Sequence, residues 1–277
     1  MNAPTNSTPE ATAETTARSA AAWYENSALA MALVVLLLGG LWALAAWWLG
    51  FSSFPGPVDA LRALPALLFD PNALLAMAMS LGRMAIGYVW ALVFAVPLGL
   101  AMGRSQFVHD LIHPLASLSY PMPKAALMPI LMLWFGLGSF SKILVIAMGV
   151  SLPMLYHSCL GASRVENKLV WTAQAMGMKA VARLFRVVLP AALPEILIGC
   201  RVGVIMALIV MVSSEMIARQ EGVGNLLFTS MDMAQYSSVY AVILILAVMG
   251  VVLNWLFEKV RRYLTRWAES VDDNALR

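Results

Sequence analysis

Long apolar runs separated by short polar stretches set the plan of this chain. The first run, about Ala28 to Gly50, carries no charge and ends near Trp47 and Trp48, residues suited to a membrane interface. A helix needs ~20 apolar residues to cross a ~30 Å hydrocarbon core. Further runs of that kind extend from about Ala76 to Gly103, Leu111 to Gly136, Ile143 to Ala162, Ile196 to Ala218 and Ser237 to Phe257. The pattern predicts an all-α, polytopic membrane protein with about six transmembrane helices. A Pro- and Gly-rich loop, Phe54-Pro-Gly-Pro57, and a surface helix over about Ala60 to Phe69 separate the first two crossings, and Arg83 falls near the outer end of the second.

The third run departs from the others. Pro114, Pro121, Pro123 and Pro129 interrupt it, with Lys124 among them. Proline removes a backbone donor and kinks or ends a helix. Within a membrane such breaks survive where backbone is buried in protein or lines a watery cavity. The pattern fits either a broken helix beside a pathway or a cytoplasmic surface helix followed by a short span.

Composition agrees with the runs: 61% of the 277 residues are hydrophobic and 12% charged, against about 25% charged in soluble domains. A net charge of +3 gives little support to a nucleic-acid partner. Cys159 and Cys200 lie far apart in apolar runs, without metal-ligand spacing. Residues 1–27 are too polar to bury a core and read as a disordered cytoplasmic tail rather than a signal peptide. Residues 28–263 then form the transmembrane domain and 264–277 a cytoplasmic C-terminal tail.

Placing both termini in the cytoplasm puts Arg18, Arg104, Arg164, Lys168, Lys179, Arg183, Arg186, Lys259, Arg261, Arg262, Arg266 and Arg277 inside. Only Arg62, Lys142 and Arg219 then face outward, which favours this orientation over its inverse.

Five of those cytoplasmic charges sit in the longest polar insertion, residues 163–195. It reads as helix, glycine, short helix and proline stop: Gly177 permits a turn or close approach, and Pro190 and Pro194 end the helix before the next span. Met178, Val181, Ala182 and Phe185 recur on one helical face, opposite Lys179, Arg183 and Arg186. Such a helix suits either docking into a partner's groove or lying on lipid headgroups.

The spacing of Ala173, Gly177, Val187, Leu189 and Pro190 resembles the cytoplasmic loop signature of binding-protein-dependent ABC transporter permeases. In that signature Glu-Ala-Ala is followed three residues later by Gly, then by nine residues, an aliphatic, any residue and Leu-Pro. Trp171 and Thr172 stand where the family usually has Glu and its first Ala. The broader likeness runs from about Phe54 to Trp267. It includes Pro123-Lys-Ala-Ala-Leu-Met-Pro129, Trp134-Phe-Gly-Leu-Gly138, Ser214-Glu-Met-Ile217 and Gly222-Val-Gly224, and it resembles the nitrate, sulfonate and taurine branch.

The resemblance implies a type I ABC importer permease fold in the bacterial inner membrane. It also implies a coupling helix over about Met176 to Phe185 seated in a cytoplasmic ABC ATPase subunit, with Ala173, Met176, Gly177, Met178, Val181, Phe185, Leu189 and Pro190 as coupling residues. A permease homodimer and an extracytoplasmic solute-binding protein complete the implied assembly. The sequence holds no Gly-x4-Gly-Lys-Ser/Thr phosphate loop. ATP and Mg are therefore expected on the partner ATPase, with no cofactor on this chain.

Charges within spans are often functional, which makes Lys124, Arg201 and Glu215 the pathway or gating candidates. Arg201 also suits a brace at the cytoplasmic end, Glu215 a structural hydrogen bond, and Lys124 an anchor to lipid phosphate. His109 and His113 share a helix face but lack a third ligand, so no metal is assigned. No nucleophile–base pair suggests catalysis. A self-sufficient channel or secondary transporter is the rival expectation, and a membrane-embedded enzyme a weaker one.

Overall fold

The computed structural model describes residues 27–267, and the expected terminal tails lie almost wholly outside that range. Among the described residues the chain is helical, with no strand. It divides into two compact units at Arg62.

In the first unit, α1 (Ser27–Leu49) is apolar throughout. It ends at Gly50, whose φ of +61° fits the left-handed turn. Trp42 donates its indole N–H to the Pro55 carbonyl at 3.1 Å, tying the proline loop back to the helix. α2 (Pro57–Leu68), within which the division falls, starts on a proline with Asp59 in its first turn, both favoured at a helix N-terminus.

The second unit is built on three long helices: α3 (Pro71–Arg104), α6 (Ser139–Arg164) and α9 (Leu189–Ala218). α3 is capped by the Asp70 side chain, which accepts from Asn72 N at 3.0 Å, and has Pro71 in its first turn. Its 34 residues extend ~51 Å, beyond the hydrocarbon thickness. α6 lies between α3 and α9 and buries Ile146, Val150 and Met154 completely.

Small residues at four-residue spacing let α3 meet α6: Gly87, Ala91, Ala95, Gly99 and Gly103. A Cβ added at Gly99 would stand 2.5 Å from the Leu155 carbonyl oxygen, and one at Gly103 2.4 Å from that of Cys159. In lipid this backbone approach replaces the hydrophobic driving force available in water.

The third expected crossing is divided. α4 (Gln106–Ser119) contains Pro114, while Pro121 and Pro123 fall in the break that follows. A 3₁₀ turn (Lys124–Leu127) leads into α5 (Met128–Phe135), with Pro129 in its first turn. These last two pieces together extend ~20 Å, short of a full crossing. Among the described residues five helices are long and apolar enough to cross a membrane, and the Lys124–Phe135 segment is apolar but shorter.

After α6 come α7 (Asn167–Ala175) and α8 (Ala180–Arg183), and later α10 (Val223–Asp232) and α11 (Tyr236–Leu264). The expected proline stop at Pro190 and Pro194 does not occur. A π-helical turn (Leu184–Val188) joins α8 to α9, and the Leu189 N–H bonds to the Leu184 carbonyl. This wider register comes just before Pro190, in the first turn of α9, so the missing proline N–H breaks nothing. Pro194 is accommodated within α9. Residues Ala180–Ala218 therefore form one 39-residue rod.

Candidate functional site

At one end of the α3–α6–α9 core sits the α7–α8 segment. α7 turns Val170 and Ala173 inward and leaves Trp171 exposed. It ends in a paired hydrogen-bond cap: Met178 N donates to Ala173 O at 3.1 Å and Gly177 N to Gln174 O at 2.9 Å. Gly177 takes φ +78°, and a Cβ there would meet nothing within 4 Å. Of its two expected roles, the turn is the one required.

Beyond the turn Val188 is buried, whereas Met176, Val181 and Phe185 are 76%, 69% and 46% exposed. Met178 and Ala182, on the same predicted face, are half-buried, and Lys179 and Arg186 are exposed. Leu189 is half-buried and Pro190 exposed, both in the first turn of α9.

Arg104, at the end of α3, fixes this segment. Its guanidinium donates to the carbonyls of Ala162 and Val165 at 3.3 and 3.2 Å, and to Asn167 Oδ1 at 3.1 Å. It thus joins the last turn of α6 to the first of α7. Glu195 pairs with Arg164 at 2.9 Å and with His157 Nδ1 at 2.9 Å, bracing α9 against α6. A cavity of about 750 Å³ lies alongside, lined by Arg104, His109, His113, Tyr156 and His157 among others. The His109 and His113 rings stack at 4.8 Å. Among the described residues no three His, Cys, Asp or Glu side chains group to hold a metal.

The opposite end of the core contains a buried charged cluster. Glu215, with no exposure, accepts from Ser80 Oγ at 2.8 and 2.7 Å, Arg83 Nη1 at 3.1 Å and Gly224 N at 3.1 Å. The Ser80 hydroxyl in turn accepts from Val223 N at 2.9 Å. Arg83 reaches Ser139 Oγ at 2.9 Å and the Glu221 carbonyl at 2.6 Å, and Lys142 donates to that same carbonyl at 3.0 Å. Gly222 sits against the carboxylate with φ +137°, where a Cβ would be 2.2 Å from Glu215 Cδ. α3, α6, α9 and the turn into α10 converge on one anionic group.

Of the three pathway candidates, Glu215 alone lies in this cluster. Arg201 points to α11, donating to Asn254 Oδ1 at 3.1 Å with Glu258 at 3.7 Å, an interhelical brace. Lys124 turns back on α4, donating to the carbonyls of Ser119 and, at 2.9 Å, Met122. Lys142, counted from sequence as an outward-facing loop charge, is instead 1% exposed within the first turn of α6.

Sequence reasoning missed Arg83, Lys142 and Arg104 as partners. A signal existed for the first two, since each is a cation within or beside an apolar run that calls for a buried counter-group.

Residues 95–266 match the family described as binding-protein-dependent transport system inner membrane component. Relatives include the taurine transport system permease protein TauC of Escherichia coli (strain K12), 31% identical, covering 86% of this chain and 89% of the relative. The putative aliphatic sulfonates transport permease protein SsuC of Bacillus subtilis (strain 168) is 27% identical over 90% of each chain. The nitrate import permease protein NrtB of Synechocystis sp. is 24% identical, covering 81% and 84%. Together the matched region, the all-helical architecture and the α7–α8 signature establish that this chain belongs to the binding-protein-dependent inner-membrane component family, the permeases of ABC transporters.

Proposed function

We propose that this permease carries a small anionic solute of the sulfonate, taurine or nitrate class into a bacterial cell. It works as one of two identical chains, with a cytoplasmic ATPase subunit on each and a solute-binding protein on the outer face. ATP and Mg reside on the ATPase. The observation that carries this reading is the α7–α8 segment, which leaves Met176, Val181 and Phe185 exposed at the position where the family signature falls. Exposed apolar side chains on a segment that projects past the hydrocarbon core suit a partner's groove.

Nucleotide binding draws the two ATPases together and carries the α7–α8 segments with them. Because α8 continues without a stop into α9, that displacement enters the spans along one rod. The chain contributes shape and mechanical linkage rather than chemistry. With both termini and the α7–α8 segment cytoplasmic, the Arg83–Glu215 cluster lies toward the outer face. The solute class rests on the relatives named for taurine, aliphatic sulfonates and nitrate.

The test is purification of the tagged chain from native membranes in mild detergent, followed by an ATPase assay and identification of what accompanies it. An ATP-binding subunit should copurify with the wild type and be lost from Phe185→Asp. A chain that purifies alone and transports in liposomes without ATP would instead establish a channel or secondary transporter. Uptake of labelled taurine, an alkanesulfonate and nitrate, each with the cognate binding protein, then decides the solute.

A further inference from the structure

Lys142 is 1% exposed, yet Nζ is directed at a backbone carbonyl, that of Glu221, which Arg83 also grips. Two cations on two helices thus hold one peptide group of the α9–α10 turn. The turn carries one strained residue, Arg219 at φ +49°, and passes through Gly222 at φ +137°, a conformation that glycine adopts readily. Exposed Glu221, with its carboxylate 3.7 Å from Arg83 Nη2, adds a weaker contact. α10 begins immediately afterwards, its first N–H groups fastened to Ser80 and Glu215.

We propose that Arg83 and Lys142 are positioning residues that clamp the α9–α10 turn through the Glu221 carbonyl, so that displacement of the α8–α9 rod is delivered to α10. Without the clamp, the rod still moves but the turn yields, and α10 lags behind. The other contacts along the core favour transmission rather than absorption of movement. Tyr88 donates to the Cys200 carbonyl at 3.0 Å, joining α3 to α9, while Arg104 and Glu195 tie the far end. The proposal rests on the reading of ATP-driven import.

Lys142→Met separates positioning from mere support. In Lys142→Met an apolar side chain of similar length replaces the buried ammonium, and the Glu221 carbonyl keeps Arg83 as its donor, so no buried acceptor is orphaned. A purely structural lysine would therefore leave both thermal stability and solute moved per ATP unchanged. The clamp predicts that the assembled complex keeps its stability and ATP hydrolysis while uptake per ATP falls about tenfold, within the usual range of coupling between sites. Arg83→Lys, which keeps the charge but loses the fork, should lower the same ratio.

A second measurement uses Gly149→Cys with Val210→Cys in a Cys159→Ala, Cys200→Ala background. The Cβ positions are 3.5 Å apart, within disulfide range. If α6 and α9 carry movement together, oxidising that pair leaves uptake intact. An unchanged uptake-per-ATP ratio in Lys142→Met, or uptake lost on oxidation and restored by reductant, would overturn the proposal. Absence of ATP-driven uptake in the unsubstituted complex would sink the import reading alone.

Discussion

At the Arg83 end of the core, a carboxylate with no solvent exposure is met by a hydroxyl, a guanidinium and a backbone N–H, and the cluster is complete within the chain. At the Gly177 end, Met176, Val181 and Phe185 stand exposed on a segment whose inner face is already packed. Burying a charge is tolerable only when its partners are built in. Leaving apolar surface in water is unfavourable by about 25 cal/mol per Å² and invites a cover. One end is finished by this chain alone, and the other, on the proposed reading, is finished by a partner.

The sharpest way to break that comparison is to remove one charge from the finished end. Glu215→Ala leaves the Arg83 guanidinium buried beside an empty site and should destabilise the complex by about 3–5 kcal/mol, read from thermal unfolding in detergent. Adding Arg83→Met should recover part of that loss, because the two residues act as a pair. Additive losses would mean that the two are independent.

A charge on the unfinished end should act differently. Val181→Asp is expected to weaken ATPase association by about 2 kcal/mol, roughly thirtyfold in Kd, while leaving the unfolding temperature of the isolated chain unchanged. A drop in that temperature would show that Val181 supports the fold. Gly177→Ala forces a side chain into φ +78° and should cost about 1 kcal/mol, seen as weaker ATPase association and faster proteolysis of the segment. The smallest effect belongs to Lys124→Met, which removes a donor to the last carbonyl of α4, that of Ser119, and to the Met122 carbonyl in the break beyond it, and should lower stability by about 0.5 kcal/mol with uptake preserved.

The two ends were also unequally legible from sequence. The α7–α8 segment is local: its glycine turn, helical face and spacing lie within a few residues, and the structure places Gly177 at the turn and Val181 and Phe185 outward. The charged end is assembled from residues 132 positions apart, Arg83 and Glu215, and such pairing leaves no periodic trace. Lys142 misled for the same reason, since a lysine beside a glycine-rich loop reads as exposed until α3 and the α10 turn close over it. The proline stop failed because a π turn before Pro190 keeps the rod continuous, an adjustment that composition does not encode. The four-residue spacing of Gly87, Ala91, Ala95, Gly99 and Gly103 marks the face where α3 meets α6, although the sequence expectations did not include it.

The central claim is that the α7–α8 row is covered by an ATPase. Its most direct test is Val181→Cys in the Cys159→Ala, Cys200→Ala background, labelled with a thiol-reactive photocrosslinker in native membranes. A covalent adduct with an ATP-binding subunit, diminished when Phe185 is changed to Asp, is the predicted result. Adducts confined to lipid, with no ATP-binding subunit captured, would contradict the account and return this helix to the membrane surface.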